Sequence, residues 1–314
     1  ACSRSSGSRS GARRDDVRPP AWRLLLAYAA IYFVWGSTYL AIKWSVETIP
    51  PALAMGGRSV VAGLAMLAIA FALRVRMPTP VELGSAALVG FLFFACNQGL
   101  LATAQTRLPS GVAALLIATT PFFVPLIVWA LGGGRPGARI VFGVALGLAG
   151  VGVLVNGGSA MGMADPLYAA ITLAGAFCWG FGTVLATRLP RPPSLLATAG
   201  FQLLSGGCAL LAIGFALGHA EAFVLAQVSL RSLAGIAYLL VFGTFLGFGA
   251  FVWLTRHEPP TRISTYAFVN PVVAVLIGHF VAGEPLTVAM LLAMAAIVGA
   301  VVLIVTDRAR PGRG

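Results

Sequence analysis

The sequence predicts an all-α polytopic membrane protein of about ten transmembrane helices arranged as two inverted five-helix repeats. Three observations predict it. Hydrophobic residues make up 59% of the 314 and charged residues only 10%, whereas a water-soluble chain carries about 25% charged residues to cover its surface. The apolar runs are ~20 residues long and do not alternate apolar with polar, which selects spanning helices over barrel strands. Landmarks of the first half also recur in the second at nearly one offset.

The spans follow in order. Residues 1–21 are rich in Ser, Gly and Arg without periodicity and read as a disordered cytoplasmic tail. The first apolar run, 23–43, has no small-residue cleavage site after it, so it reads as a helix rather than a signal peptide. Pro50-Pro51 opens the second, 52–73. Met77-Pro78 precedes the third, 83–105, and Leu108-Pro109 the fourth, 110–131. The stretch from Gly132 to Pro136 separates the fourth from the fifth, 139–156. The sixth, 166–187, ends before Pro190 to Pro193. The seventh, 195–217, precedes the one long connection, 218–230. The eighth, 231–254, ends before Pro259-Pro260; the ninth, 263–282, and tenth, 286–306, complete the set, and 307–314 reads as a second cytoplasmic tail.

Basic residues set the orientation. With the N-terminus inside, the inner segments hold Arg4, Arg9, Arg13, Arg14, Arg18 and Arg23, then Arg74 and Arg76, Arg135 and Arg139, Arg188 and Arg191, Arg256 and Arg262, and finally Arg308, Arg310 and Arg313. The outer loops hold only Arg107 and Arg231. Positive charge gathers on the cytoplasmic side of membrane proteins, so both termini are expected inside, in the cytoplasmic membrane. This distribution also removes the suggestion of nucleic-acid binding that the net charge of +12 raises.

The repeat is carried by ordered pairs. Phe33-Val34-Trp35-Gly36 matches Phe177-Cys178-Trp179-Gly180, and Pro121 matches Pro271, at offsets of 144 and 150 residues. Each unit, 22–156 and 166–306, therefore holds five spans. Five is odd, so the second unit is inverted, an arrangement typical of carriers that alternate access around a central site.

The stretches "VWGSTYLAIKW", "PPALAMGGRSVVAG" and "YAFVNPVVAVLIGHFVAGEPLT" resemble the EamA family of the drug/metabolite transporter superfamily, and the likeness covers nearly all of 22–306. The resemblance implies ten helices in inverted repeats and the export of small metabolites or drugs without ATP; an arginine inside a span, Arg58, tilts the expected solute toward carboxylate-bearing, amino acid-like compounds. One departure is plain: the family's Gly-Glu after the fourth helix of each repeat is Gly283-Glu284 in the second unit but Gly133-Gly134 in the first.

Other function classes find little support. Cys2, Cys96, Cys178 and Cys208 form no C-x-x-C pair, and no metal site is expected. Lys43 is the only lysine and lacks a phosphate-binding loop around it, so no nucleotide cofactor is expected. His219, His257 and His279 are scattered, without the clustering a membrane-embedded enzyme needs. A channel-like or structural membrane protein is the other alternative, and charge rings that would favour a channel are missing from the span centres. Expected partners are a small-molecule substrate and the bilayer; monomer and homodimer stay open.

Candidate site residues are those that are costly at depth. Arg58 lies about 10 Å into its span, since it follows Pro51 by seven residues. It either binds an anionic group, pairs with Glu47, or snorkels to the outer interface. Lys43, near the outer end of the first span, reads as a snorkelling side chain. Trp35 and Trp179 are aromatic walls or packing residues, and Tyr39 shares a face with Trp35. Asn97, Gln98, Gln105 and Gln202 need partners, either helices or substrate. Tyr266 and Asn270 precede Pro271 much as Thr119 and Thr120 precede Pro121, and both prolines are candidate hinges. His279 and Glu284 are the candidates for coupling to protons. Gly143/Gly147 and Gly243/Gly247 permit close helix contact within the chain.

Overall fold

The computed structural model describes residues 19–159, 164–192, 194–221, 223–258 and 265–306. The expectations for both tails, for Cys2, and for Pro193, Pro259-Pro260 and Arg262 fall outside these residues. The described residues form ten helices, with no strand among them: α1 (Ala21–Ser45), α2 (Pro51–Ala72), α3 (Pro80–Ala104), α4 (Ser110–Ala130), α5 (Ala138–Gly157), α6 (Pro166–Arg188), α7 (Leu195–Ala216), α8 (Leu230–Phe251, continuing to His257), α9 (Tyr266–Ala282) and α10 (Val288–Val305). Nine are long and apolar enough to cross a membrane, and α9 is a shorter apolar helix. Phe33, Phe71, Phe142, Phe215 and Phe280 stand exposed around the outside, as befits a surface solvated by lipid.

Local chemistry fixes the helix ends. Proline fills the first turn of α2, α3 and α6, where its missing N–H costs nothing. Thr79 and Glu82 form a reciprocal cap on α3. The side chains of Asp165, Ser229 and Thr287 accept from backbone N–H groups in the first turns of α6, α8 and α10. Left-handed residues end α2 and α7 at Arg74 and Gly218, and α4 and α9 at Gly132 and Gly283. Arg74 and Gly218 are repeat-related at the offset of 144, Gly132 and Gly283 close repeat-related helices one position out of register, and three of the four are glycine.

The packing is that of an inverted repeat. α1 packs on α8 and α9 of the other half, as α6 packs on α3 and α4. The two most extensive interfaces join helices to their own counterparts, α2 with α7 and α5 with α10. At the first of these the backbones nearly touch. A Cβ on Gly63 would lie 2.7 Å from Leu204 N and 2.9 Å from Gly200 O, and one on Gly207 would lie 2.9 Å from Gly56 O. Gly56 and Gly63 thus meet Gly207 and Gly200 in antiparallel register, and the repeat mates among them, Gly56 with Gly200 and Gly63 with Gly207, keep the offset of 144. The helices cross beside Ser59 and Val60, whose atoms are also within 2.9 Å of that Gly207 Cβ position. At the second interface, Gly143, Gly150 and Gly157 face Ala300, Ala296 and Ala289. Gly147 faces Phe122 of α4 instead, and Gly243 and Gly247 face Thr38 and Trp35 of α1, so all four predicted close contacts lie within one chain.

Three helices loosen into π turns: α1 at Ala30–Val34, α3 at Phe91–Gln98 and α8 at Leu239–Gly247. Those in α3 and α8 are repeat mates; α6, the mate of α1, stays α-helical. The proline pair behaves unequally. α4 breaks into Ser110–Ile117 and Thr120–Ala130, with Pro121 in the first turn of the second piece. The hydroxyls of Thr119 and Thr120 donate to the carbonyls of Leu116 and Ile117 at this break. Pro271 sits inside α9, which continues through it. The predicted pair of matching hinges is therefore one interruption and one uninterrupted helix, because only α4 has two consecutive threonines to satisfy the carbonyls freed there.

Candidate functional site

The π turn of α1 is held open from across the repeat boundary. With its amide nitrogen facing α1, Asn270 donates to the carbonyls of Ile31 and Tyr32, both at 3.1 Å, and to Tyr266 O at 3.3 Å. Asn270 is buried, and the widened turn supplies the carbonyls it needs. One turn on, Trp35 Nε1 donates to Gly243 O of the α8 π segment at 3.2 Å. The indole also meets Tyr266 edge-on at 5.2 Å between centroids and Phe251 at 5.4 Å. Gly36 leaves room for Val273 of α9, 2.6 Å from where a Cβ would be. Trp35 and Tyr266 are thus in one aromatic cluster joining α1, α8 and α9.

Arg58 borders this cluster. It is only 8% exposed, and Nη1 donates to Thr244 Oγ1 at 3.2 Å, the residue after the one Trp35 holds. Thr244 in turn donates to Leu239 O. Its Nε is buried without a hydrogen-bond partner, as is the hydroxyl of the neighbouring Ser59. Glu47 pairs instead with Arg231, at 3.5 Å, which rules out the predicted Arg58–Glu47 pair in this structure; its burial also rules out snorkelling. Arg58 lies within two residues of the α2–α7 crossing, so a cation without an acidic partner among the described residues sits between the halves. Charge is costly at this depth without a partner.

The other candidates separate. Asn97 donates to Gly175 O at 2.9 Å and stitches α3 to α6. Trp179 stacks on Phe93 of the α3 π segment at 4.3 Å. These two belong together, on the side of the molecule that mirrors Trp35 and α8. Tyr39 packs in the apolar cluster of Ile42, Met55 and Leu239, and its carbonyl accepts from Gln105 Nε2.

Glu284 turns out to be an architectural knot. One carboxylate oxygen accepts from Ser110 N at 2.7 Å, the other from Ser110 Oγ at 3.0 Å and Gly111 N at 3.1 Å. Lys43 Nζ stands 3.5 Å from it and donates to Leu108 O at 3.1 Å. Lys43 therefore turns inward rather than snorkelling, because a buried carboxylate at a helix start offers it more than headgroups do. His279 Nδ1 reaches the backbone carbonyl of Glu284 at 2.9 Å, not the carboxylate. The pair expected to act together is thereby separated: the carboxylate caps α4 and the imidazole closes the α9 turn. Sequence reasoning missed Thr244 and Phe93 as partners and the Lys43–Glu284–Ser110 group. The asymmetry of Gly283-Glu284 against Gly133-Gly134 was the one signal pointing to the latter.

Comparison with known proteins agrees with this architecture. The profile of the EamA-like transporter family matches residues 21–156 and 167–306, one match per half. The uncharacterized inner membrane transporter YedA of Escherichia coli (strain K12) is 36% identical over 279 residues, which cover 88% of this chain and 89% of that protein. A probable amino-acid metabolite efflux pump of Salmonella typhimurium is 26% identical, covering 82% and 86% respectively. One solved protein chain, 21% identical, shares the fold with a TM-score of 0.59 over 90% of this chain and 97% of its own. A multi-pass inner membrane transporter acting on a small molecule is the coarse function that follows, and by both matched halves and by YedA this chain belongs to the EamA-like transporter family.

Proposed function

We propose that the chain is a secondary carrier that exports a small organic metabolite, amino acid-like in character, across the cytoplasmic membrane by alternating access. The observation that carries this reading is Arg58. It is a buried cation without an acidic partner among the described residues, next to the point where the inverted halves cross. A carrier needs a polar foothold at mid-depth that both halves can reach, and inverted repeats give it two equivalent ways to expose that foothold. The aromatic cluster of Trp35, Tyr266 and Phe251 provides an apolar wall beside it. The efflux pump of Salmonella typhimurium supports the substrate class and the direction. Both termini lie in the cytoplasm on this reading, because Arg74, Arg76, Arg135, Arg139, Arg188 and Arg191 gather in the connections at one end.

Counterflow in proteoliposomes tests it without knowledge of a driving ion. Purified protein is reconstituted with an internal unlabelled solute, and uptake of the labelled solute is followed for a panel of amino acids, organic acids and aromatic compounds. Saturable counterflow of a panel member is expected. Equal permeation with and without internal solute indicates a channel, and no uptake across the panel refutes transport of this class.

A further inference from the structure

The geometry points to a carboxylate as the group that Arg58 takes, held side-on by Nε and Nη2. This rests on the carrier reading above and names the chemistry of its substrate. A guanidinium offers five N–H donors in one plane. In Arg58 the Nη1 end is occupied by Thr244, while Nε is sealed from solvent with no partner. What remains free is the side edge, where the N–H of Nε and one N–H of Nη2 point the same way. Two parallel donors on a planar cation match the two oxygens of a planar carboxylate.

Three further observations narrow the ligand. Position 58 does not need a cation for packing. The glycines that align α2 with α7 make Gln202 its repeat counterpart, so on the other side of this same crossing the equivalent position is filled by a neutral amide. Among the described residues no counter-ion is supplied either. Their ion pairs are Lys43–Glu284, Arg76–Glu82 and Arg231–Glu47, and Arg58 is in none of them. The neutralising anion must then come with the ligand. Finally, the only lysine is engaged by Glu284 and Leu108 and is not available to help Arg58 balance a doubly charged phosphate. A single negative charge in a flat, two-oxygen group fits what is left. An aromatic or apolar remainder of the substrate would lie toward Trp35, which grips the residue adjacent to Thr244.

The test uses the reconstituted full chain and four probes of matched shape: phenylalanine, phenylalaninamide, phenylacetate and phenylacetamide. Each is measured by counterflow for wild type, Arg58→Lys, Arg58→Gln and Thr244→Asp, with monodispersity in detergent as the check on folding. The two carboxylates are expected to exchange at least about tenfold faster than their amides, the ratio expected when charge-assisted hydrogen bonds are lost. Arg58→Lys keeps the charge but loses the planar fork, and should lose most of that preference. Thr244→Asp places a carboxylate where Oγ1 now stands 3.2 Å from Nη1. It should fold normally yet abolish carboxylate exchange, since Arg58 is then neutralised from within. Wild type exchanging the amides as fast as the acids would overturn the carboxylate assignment and leave the carrier intact. So would carboxylate exchange at wild-type rates in a well-folded Thr244→Asp. A wild type that exchanges no solute, neither these four nor the wider panel, would overturn the carrier reading itself.

Discussion

Replacing Glu284 by alanine is expected to destabilise the protein by about 3–5 kcal/mol, as follows from stranding several buried donors at about 1–3 kcal/mol each. The magnitude follows from what is stranded. Glu284 is 8% exposed, and its loss leaves Ser110 N, Gly111 N and Lys43 Nζ without the acceptor they share. The two N–H groups open α4 and have no partner within that helix. Glu284→Gln should cost less, about 1–3 kcal/mol, because an amide oxygen still accepts from Ser110 N while its NH₂ faces a donor at Gly111. Lys43→Met should cost the least of the three. Its side chain is 29% exposed and the ion pair is long at 3.5 Å, so solvent screening leaves about 1 kcal/mol or less. Gly278→Ala attacks the same knot sterically, since its Cβ would lie 2.5 Å from Glu284 Oε2 and 3.0 Å from Ser110 Oγ. Its effect should therefore not add to that of Glu284→Ala. Equilibrium unfolding by SDS in mixed micelles, followed by circular dichroism, measures all of these. An alanine variant within about 0.5 kcal/mol of wild type, the size of an ordinary surface change, would refute the assignment of Glu284 as a helix cap.

The remaining predictions concern other junctions. Gly63→Ala should prevent correct assembly, seen as loss of monodisperse protein, because its Cβ meets backbone atoms of Leu204 and Gly200 that cannot move aside. Gly57→Ala on the same helix has nothing within 4 Å of its Cβ and should gain about 0.5–1 kcal/mol of helix stability in the same unfolding assay. Arg74 holds φ 52 at the end of α2 where its counterpart is Gly218, so Arg74→Gly should stabilise by about 1 kcal/mol, the cost of the left-handed conformation for a residue with a Cβ. Asn97→Leu should cost about 1 kcal/mol through loss of the bond to Gly175 O. A neutral result there would mean that Asn97 does not help hold α3 to α6.

The helices were readable because the bilayer imposes length and composition, and the prolines and glycines that punctuate them act locally. The inversion was readable from Trp35, Trp179, Pro121 and Pro271, since a repeated landmark keeps its meaning wherever it folds. Arg58 was noticeable as a charge inside an apolar run, yet its partner was not. Thr244 is a lone hydroxyl in "LLVFGTFLG", 186 residues away, with no periodicity to single it out. The Glu284 knot joins residues 174 apart through backbone N–H groups, which every sequence has everywhere. The π turns were equally hidden. Those in α1 and α8 lie where Asn270, Trp35 and Arg58 make demands on neighbouring backbones or side chains, a tertiary cause with no local signature. The unequal fate of Pro121 and Pro271 has a similar origin, since a proline marks a weak point but its surroundings decide whether the helix breaks.

The contact between α2 and α7 has a mechanical consequence. Glycine backbones meet glycine backbones at the crossing, with Leu211 over Gly56 and Leu67 over Gly200 to either side, so at the crossing point the contact works as a bearing more than as a bolt. α2 has 22 residues, and its ends lie ~13 and ~19 Å from the crossing at 1.5 Å per residue, whereas Arg58 lies ~2–3 Å from it. A tilt of about 15°, the size of rotation seen in other switching proteins, moves the far end of α2 by ~5 Å and the backbone of Arg58 by less than ~1 Å. The lever arms are long where passages would have to open and short where a charge must be held, so the fulcrum of the fold and its buried cation share one place.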